Sequence, residues 1–208
     1  MDNLQDEKYQ KLSRDFYLQD TLLTAKSLLG KYLTRTDGEA VTAGKIVETE
    51  AYLGPKDKAA HSYKANPFGR TNVMYGPGGF AYIYLIYGMH YCMNVVTAPE
   101  NTPEAILIRA LEPVAGIEIM AARRGTDKIT SLCSGPGKLC KALEIDKSLY
   151  GADLCGDTLS ITQGESVDPA DIAVTPRIGV DYAGEAKDFP FRFLLRESPH
   201  VSVKYKAP

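Results

Sequence analysis

The chain has 208 residues, 44% of them hydrophobic, and a formal net charge of −2, which fits one large domain with a substantial core and excludes disordered and fibrous proteins. Its polar start, MDNLQDEKYQKLSRD, lacks the basic region and apolar run of a secretory signal, so we expect a cytoplasmic protein without an export signal. The apolar run 80–96 is shorter than the roughly 20 residues of a membrane span and contains Gly88, His90 and Asn94, so we expect no membrane contact.

The first third of the chain predicts a helix, a hairpin and a long loop. After an N-terminus that we expect to be loosely ordered over residues 1–15, Asp20 can cap a helix that Gly30 ends. Residues 31–35 and 41–52 then predict two strands joined by a turn at Asp37-Gly38. Residues 56–79 form a polar loop, punctuated by glycine and proline, of a length typical of functional loops.

The remainder predicts a second hairpin and further sheet. Tyr87-Gly88 separates two apolar runs, and these predicted strands are followed by a third, a helix opened by Pro113 that ends near Gly125, and a helix start at Ser134 with Pro136 in its first turn. Further strand-like segments are 158–162, 172–180, 191–195 and 201–205. We therefore predict an α+β fold, one domain with a mainly antiparallel sheet, surrounding helices and a protruding β-hairpin.

The stretch IVETEAYLG carries the first candidate chemistry. Alternation along a strand places Glu48, Glu50 and Tyr52 on one face and Val47, Thr49 and Ala51 on the other. Two glutamates on a strand are also commonplace on a solvated sheet edge. The neighbouring Tyr52, the later His61 and the uncharged hairpin favour a functional site.

The hairpin AYIYLIYGMHYCMN is rich in tyrosine. Tyr82 and Tyr84 share one face of a strand and could form an aromatic wall, or they could be ordinary core residues. Tyr87 falls at the turn, where Gly88 supplies a permissive backbone, and it would project from the tip. Aromatic surfaces suit stacking on nucleobases, and a projecting ring suits insertion between base steps.

Charge and ligand patterns restrict the class of protein further. From Gly54 to Pro99 four cations stand against Asp57 alone, so a basic face is possible on a slightly acidic molecule. The four cysteines have no Cys-x-x-Cys spacing, and the three histidines form no local metal-ligand pattern with them. We expect reduced thiols, no metal and no cofactor.

Four blocks together resemble the alkyladenine (3-methyladenine) DNA glycosylases, a base-excision repair family: IVETEAYLGPKDKAAH, the tyrosine hairpin, ILIRALEP and LCSGPGKLCKAL. The likeness runs in order from about Leu22 to Val203. It implies a curved sheet and a monomeric, monofunctional enzyme that takes damaged purines, alkylated or deaminated, out of double-stranded DNA and hydrolyses the N-glycosidic bond with water. An abasic site would remain.

The resemblance also implies roles for individual residues. Glu50 matches the family's general base and Arg109 its water-positioning arginine, although a surface charge at a strand end would also explain Arg109. Tyr87 matches the intercalating tyrosine. The flipped base would lie between pocket residues Tyr52, His61, Tyr82 and Tyr84, and Asn94 would obstruct the amino group of normal guanine, unless Asn94 only satisfies a turn.

Candidate phosphate contacts come from the predicted helix start and the long loop. Backbone N–H groups at Ser134 and Gly135, together with Lys138, favour an anion. Lys64 and Arg70 are further candidates, in the loop that departs most from the family pattern. The acidic pI of about 6.0 is another departure, from which we expect weak non-specific DNA affinity with steep salt dependence.

Two other classes of function remain as alternatives. The first is a DNA- or RNA-binding module that uses the hairpin as a wedge, with Glu50 exposed and inert. The second is a small-molecule enzyme that resembles the formyltransferase-type fold, with a free nucleotide or pterin in the pocket.

Overall fold

The computed structural model of the protein describes residues 10–65 and 67–205. Eight strands form one sheet: β1 Tyr32–Asp37, β2 Ala40–Tyr52, β3 Ala81–Ile86, β4 His90–Thr97, β5 Glu104–Ala115, β6 Leu159–Thr162, β7 Ile172–Thr175 and β8 Arg192–Leu195. The α-helices are α1 Arg14–Tyr17, α2 Thr21–Ser27, α3 Ile117–Arg124, α4 Ile129–Leu132 and α5 Pro136–Leu143. The arrangement confirms the predicted α+β class.

The sheet is antiparallel at every pairing between these strands, in the order β3-β4-β5-β2-β1-β6. Strand β2 lies at its centre. One edge of β2 pairs with β5, while the other pairs first with β1 over residues 40–45 and then with β8 over Glu48–Glu50. Because the second edge changes partner, Glu48 and Glu50 are flanked by strands on both sides.

Several predicted helix signals are confirmed. The side chain of Asp20 accepts a hydrogen bond of 2.9 Å from the backbone N–H of Leu23, and Gly30, with φ of 83°, follows the helix end. Helix α5 begins at Pro136, as predicted. Helices α3 and α5 pack together, and apolar side chains of both join the main core against the sheet, with Met120, Leu139 and Leu143 fully buried.

The helix predicted to open at Pro113 begins later. Pro113 lies in β5, which continues to Ala115, and Gly116 with φ of 66° precedes α3. Strand β4 pairs with β5 only over residues 104–107, and Pro113 pairs with Gly44 at a register shift. A proline is tolerated at such a site, because an irregular strand edge requires fewer ladder hydrogen bonds.

Two C-terminal strand predictions also need correction. The segment 172–180 is a strand only over Ile172–Thr175, and the segment 201–205, predicted as a strand, is irregular. Its Ser202 instead contacts Glu48 on β2. Side-chain partners therefore replace ladder bonds for part of this segment.

The alternation predicted for β2 is wrong at Val47. Pairing of β2 with β5 passes from Ile46 and Leu111 to Glu48 and Ala110, and then to Thr49 and Ile108, so the register shifts on both sides of Glu48. Val47 packs in a small cluster with Leu194 and Val201, whereas Ala51 belongs to the main core. Bulges of this kind redirect side chains and are frequent beside active sites.

The N-terminal residues that the structure describes pack against the fold, and the cysteines are unpaired. Of the N-terminal segment expected to be loosely ordered, residues 1–9 lie outside the described residues. Leu12 is buried and its N–H donates to the carbonyl of Ile161 at 2.9 Å, so the chain is packed from there on. All four cysteines are free. Across the described ranges, no helix has the length and apolar character needed to cross a bilayer.

Candidate active site

Glu50 lies in the middle of the sheet and is completely buried, with 0% of its surface exposed. Its Oε2 accepts hydrogen bonds from the Tyr52 hydroxyl at 2.9 Å and from Arg109 Nη1 at 3.2 Å. Its Oε1 accepts one from the backbone N–H of Ile178 at 2.7 Å. A carboxylate has about four acceptor positions, so one remains for a further donor. The alternative of a solvated sheet edge is wrong, because β5 and β8 flank this part of β2.

Arg109 connects two carboxylates. Its Nε donates to Glu48 at 2.9 Å while Nη1 donates to Glu50, and Nη2 donates to the Ser202 hydroxyl at 3.2 Å. Burial disfavours the cation, but the carboxylates of Glu50 and Glu48 outweigh that effect and raise the pKa of Arg109. Arg109 is therefore a buried, permanently charged group, and the alternative of a surface charge is wrong.

Glu48 is fully buried behind Arg109, a placement that the sequence analysis missed. Its Oε1 also accepts from Arg192 Nε at 2.8 Å and from the Ser202 hydroxyl at 2.7 Å, and its Oε2 accepts from the Ser202 backbone N–H at 2.5 Å. Arg192 donates further to Thr175 at 3.1 Å. We call Glu48, Glu50, Arg109 and Arg192 the charged cluster.

A cleft of about 600 Å³ opens beside the charged cluster, within the usual size range of small-ligand pockets. Arg109 and Tyr52 both line it, so Glu50 lies directly behind its wall. The cleft brings together all five residues predicted to bind the base. They are Tyr52, His61, Tyr82, Tyr84 and Asn94.

The aromatic wall of the cleft has a fixed geometry. The rings of Tyr82 and Tyr84 are 5.4 Å apart and tilted by 33°, and His61 meets Tyr84 edge to face at 4.5 Å. His61 Nδ1 lies 2.8 Å from the Tyr82 hydroxyl, at hydrogen-bonding distance. Such contacts hold large rings in place at little entropic cost, because each ring has only two side-chain torsions.

Burial sets the protonation of the wall. It lowers the pKa of His61 to about 4, with the Arg70 cation as a second cause, so this imidazole is neutral at neutral pH. Burial raises the pKa of Tyr82 to about 12 and also raises the pKa values of Tyr52 and Tyr84. The wall therefore presents neutral, electron-rich rings.

Asn94 on β4 is buried and lines the cleft. Its Nδ2 donates to the carbonyl of Tyr82 on the paired strand at 3.0 Å. The amide thus satisfies a strand carbonyl and not a turn, and its obstruction of guanine stays a prediction. Its neighbour Cys92, which was not predicted, also lines the cleft, and burial raises the pKa of its thiol.

The hairpin tip, Tyr87, Gly88 and Met89, stands at the cleft mouth. The Tyr87 side chain is 83% exposed and that of Met89 70% exposed, although both are apolar in large part. Both central residues of the turn have positive φ, 54° for Tyr87 and 70° for Gly88, as a type I′ turn requires. A bulky residue in this region is strained, which suggests that the ring is held there for a purpose.

Of the predicted phosphate contacts, Lys138, Arg70 and Lys64 are exposed, whereas Gly135 is buried. Pro136 and Gly137 in the first turn of α5 line the cleft, so Ser134, Gly135 and Lys138 lie next to it, with Lys138 Nζ 3.4 Å from the Ser134 hydroxyl. The Arg70 guanidinium is 6.0 Å from the Tyr84 ring, and the Lys64 ammonium is 5.6 Å from the Tyr63 ring.

A second buried ion pair, also missed, fixes the segment that carries Ile178. Arg177 donates to both oxygens of Asp57, at 2.5 and 2.9 Å, and to the carbonyls of Ala51 and Ala186. Its guanidinium lies 4.7 Å from the Tyr52 ring. The loop after β2, the end of β2 and the segment that contacts Glu50 are thereby joined at one point.

The chemistry available in the cleft is polar and acid–base in kind. It combines a buried carboxylate with a free acceptor position, a fixed arginine and neutral aromatic walls. Within residues 10–65 and 67–205 no group of three or more potential metal-ligating side chains is present. The arrangement suits a flat, electron-poor ring held beside a carboxylate that can take a proton from water.

Comparison with known proteins agrees with this chemistry. Residues 15–199 match the family model described as methylpurine-DNA glycosylase (MPG). A protein of Desulfitobacterium hafniense (strain Y51) is 51% identical over 204 residues, which cover 94% of this chain and 100% of its own length.

Two further relatives show the same likeness. A protein of Alkaliphilus oremlandii (strain OhILAs) is 49% identical over 93% of this chain and 100% of its own length, and one of Bacillus cereus (strain G9842) is 50% identical over 91% and 97%. The names of all three provisionally assign them as 3-methyladenine DNA glycosylases. The chain therefore belongs to the methylpurine-DNA glycosylase family, and is a hydrolase that acts on N-glycosidic bonds in DNA.

Proposed function

We propose that the protein rotates alkylated or deaminated purine nucleotides out of duplex DNA into the aromatic cleft. There it hydrolyses the N-glycosidic bond with a water molecule that Glu50 deprotonates, and an abasic site remains. The observation that carries this proposal is the position of Glu50, buried directly behind a cleft wall formed by Tyr52 and Arg109.

The reaction is a substitution at the anomeric carbon of the deoxyribose. As the carbon–nitrogen bond breaks, its electron pair leaves with the base and the sugar acquires oxocarbenium character. The water oxygen forms the new bond to that carbon, and its proton passes to Glu50 and then to solvent. A base alkylated at N3 or N7 carries a positive charge in the nucleotide and departs as a neutral molecule, so the step balances without an acid. A deaminated purine such as hypoxanthine is neutral in the nucleotide, departs as an anion and takes its proton from solvent water.

Glu50 accepts three hydrogen bonds, from Tyr52, Arg109 and Ile178, which hold its carboxylate in place. Because Glu50 has no exposed surface, the attacking water reaches the fourth acceptor position of the carboxylate when the cleft wall shifts on substrate binding. Arg109 lines the cleft and holds the oxygen nearest to it, so it fixes where the water can lie. The negative charge also stabilises the cationic transition state through space.

Selection of the damaged base follows from the aromatic wall. Neutral tyrosine rings attract cations through their faces, and purines alkylated at N3 or N7 are cations. Asn94, whose amide is fixed by the Tyr82 carbonyl, would clash with the exocyclic amino group of guanine. Hypoxanthine, which lacks that group, would fit although it is neutral.

Access to the nucleotide requires that it leave the base stack. The hairpin tip supplies an exposed, strained ring that can fill the vacated space, with Met89 beside it. Lys64, Arg70 and Lys138, together with the backbone at Ser134 and Gly135, would contact phosphates around the mouth. With so few cations and an acidic pI of about 6.0, non-specific affinity for DNA should be weak.

The product should be an intact strand with an abasic site. The residues of the described chain that line the cleft include no lysine, so a Schiff-base nucleophile is not at hand there. The chain would act as a monomer on duplex DNA. Strand cleavage, or an adduct trapped with borohydride, would argue against this reaction course.

The decisive experiment replaces Glu50→Gln. Release of 3-methyladenine from a duplex is measured under single-turnover conditions, and we expect a loss on the order of 100-fold or more, because the general base is removed. Affinity for the lesion-bearing duplex should stay within a few-fold of the wild type. The matched control is Glu112→Gln on β5. The Glu112 carboxylate is partly exposed and pairs with Lys45 of β2, so this variant should excise normally.

Excision by Glu50→Gln at the wild-type rate would remove this residue from the mechanism and favour a binding module. An excision assay on duplexes that carry 3-methyladenine, 7-methylguanine, hypoxanthine or ethenoadenine, each at two salt concentrations, defines the lesions. Activity on a free nucleotide that equals activity on the duplex would favour a small-molecule enzyme.

A further inference from the structure

We infer that Glu48 is a positioning residue for the proposed hydrolysis, which orients Arg109 against Glu50 and balances the charge behind the sugar. The inference rests on the proposed function, because it assigns a task within the same site. Glu48 itself does not touch the cleft. It acts through Arg109, which does.

The first argument is geometric. A guanidinium is planar and rigid, so two anchoring bonds determine where its remaining N–H groups point. Glu48 binds Nε at 2.9 Å, and the Ser202 hydroxyl accepts from Nη2 at 3.2 Å. Only Nη1 is directed to Glu50, at 3.2 Å. Loss of the bond to Nε would let the plane rotate, and Nη1 would no longer have a fixed position beside Glu50.

The second argument concerns the hydrogen bonds of Glu48 itself. It accepts four, from Arg109 Nε, Arg192 Nε and both the hydroxyl and the backbone N–H of Ser202. Three of these bonds fall on Oε1 and one on Oε2. Glu50 bonds to both Tyr52 and Arg109 of the cleft wall, whereas Glu48 reaches the cleft only through Arg109, so Glu48 is suited to hold its neighbours.

The third argument is electrostatic. The charged cluster contains two carboxylates and two guanidinium groups, all nearly or fully buried, and so has no net charge. Without the charge of Glu48, two arginines would face one carboxylate. The surplus positive charge would oppose the cationic transition state of the sugar and lower the rate even with Glu50 ionised.

The same surplus would change the pH dependence. A surplus of positive charge beside the general base moves the acidic limb of the rate profile to lower pH. Other groups that face Glu50 are neutral below pH 8, since the pKa values of Tyr52, Tyr84, Cys92 and Tyr182 are all raised, by burial first of all. They do not contribute to that limb.

The experiment compares two variants of this network with a control on the same strand. Glu48→Gln keeps the length of the side chain and removes its charge. Ser202→Ala is milder, because the backbone N–H that binds Glu48 Oε2 remains. Thr49→Val is the matched control, since it removes a buried hydrogen bond to the carbonyl of Ala25 on the opposite face of β2.

Single-turnover release of 3-methyladenine is measured from pH 4.5 to 8.5, at saturating enzyme and at a temperature where circular dichroism shows each variant folded. We expect Glu48→Gln to lose on the order of 10- to 100-fold in maximal rate, with its acidic limb at lower pH and its affinity for the lesion duplex unchanged within about twofold. Ser202→Ala should lose several-fold, about as expected for a single weakened contact.

Each outcome decides the inference. A folded Glu48→Gln with wild-type rate and wild-type pH profile overturns it, as does an equal loss of rate in Thr49→Val. Should Glu48→Gln not fold, a wild-type rate in Ser202→Ala overturns it instead. The proposed function fails separately, if Glu50→Gln excises at the wild-type rate. If Glu50→Gln loses excision as expected while Glu48→Gln and Ser202→Ala do not, only the role of Glu48 is refuted.

Discussion

The charged cluster and the hairpin tip lie beside the same cleft, but the cluster is buried and the tip is exposed. In the cluster, Glu48 and Glu50 are 0% exposed and both are held by arginines and backbone N–H groups. At the tip, Tyr87 and Met89 are largely exposed, and Tyr87 has a left-handed backbone. One region is buried and fixed by hydrogen bonds, while the other leaves a large ring exposed.

The two regions differ in which unfavourable free-energy term the fold contains there. Buried charges cost desolvation free energy, which the surrounding hydrogen bonds must offset, and in return the site needs little rearrangement during the reaction. At the tip, apolar surface is left exposed, and the left-handed backbone of Tyr87 costs about 1–2 kcal/mol. DNA can recover that loss by covering the ring. Substitutions should therefore change the free energy of unfolding most at buried charged residues and least at the hairpin tip.

The largest effect on stability is expected for Asp57→Ala. It leaves the Arg177 guanidinium buried without its carboxylate, which should lower the free energy of unfolding by about 3–5 kcal/mol. Urea denaturation measures the change. The matched control is Glu185→Ala, which breaks the exposed ion pair with Lys58 between the same two segments and should have little effect. Equal effects of the two variants would contradict the comparison.

An intermediate effect is expected from His61, which lies between the two regions. Burial lowers its pKa from 6.5 to about 4, so between these values the unfolded chain binds a proton that the folded chain excludes. Stability should therefore fall as the pH drops from 6.5 towards 4, by on the order of 1–3 kcal/mol from this residue.

Urea denaturation of the wild type and of His61→Gln at several pH values isolates that contribution, because the other titrating groups are common to both. His200, whose pKa burial also lowers, stays in both proteins. The difference in unfolding free energy between the two proteins should shrink as the pH falls. A difference that is constant between pH 7 and 4.5 would show that His61 is protonated freely in the folded state.

The smallest effect on stability is expected for Tyr87→Ser. The side chain is exposed, so the free energy of unfolding should change by less than about 1 kcal/mol. Excision from duplex DNA should nevertheless fall by on the order of tenfold or more, because nothing fills the space that the flipped nucleotide leaves. Tyr87→Phe keeps the ring and should retain most activity. A loss of stability without a loss of excision would reverse the assignment of the two regions.

Much of the fold could be predicted because local signals and the final structure agree. Asp20 does cap α2, Pro136 does begin α5, and Tyr87-Gly88 does form the turn of a hairpin. Each of these features depends on neighbours within four residues. The family resemblance extended the prediction to Glu50, Arg109 and the residues of the aromatic wall, which the structure brings to one cleft.

What could not be predicted depends on distant pairing. A solvated face for Glu48 is compatible with the sequence, because nothing local shows that β8 pairs beside it and brings Arg192. Pro113 resembled a helix start because its position at a register shift is visible only in the pairing with Gly44. The bulges at Val47 and Arg109 have the same origin, and they break the simple alternation on which face assignments depend.

The contact between Ser202 and Glu48 joins positions 154 residues apart in the chain. Pairings with such a large sequence separation close long loops and form slowly. We therefore expect catalytic competence to appear late in folding, after the hairpin and its neighbouring strands are in place. We expect a chain that ends before residue 202 to keep its aromatic cleft but to hold Arg109 loosely. Such a chain should bind bases without hydrolysing their N-glycosidic bonds.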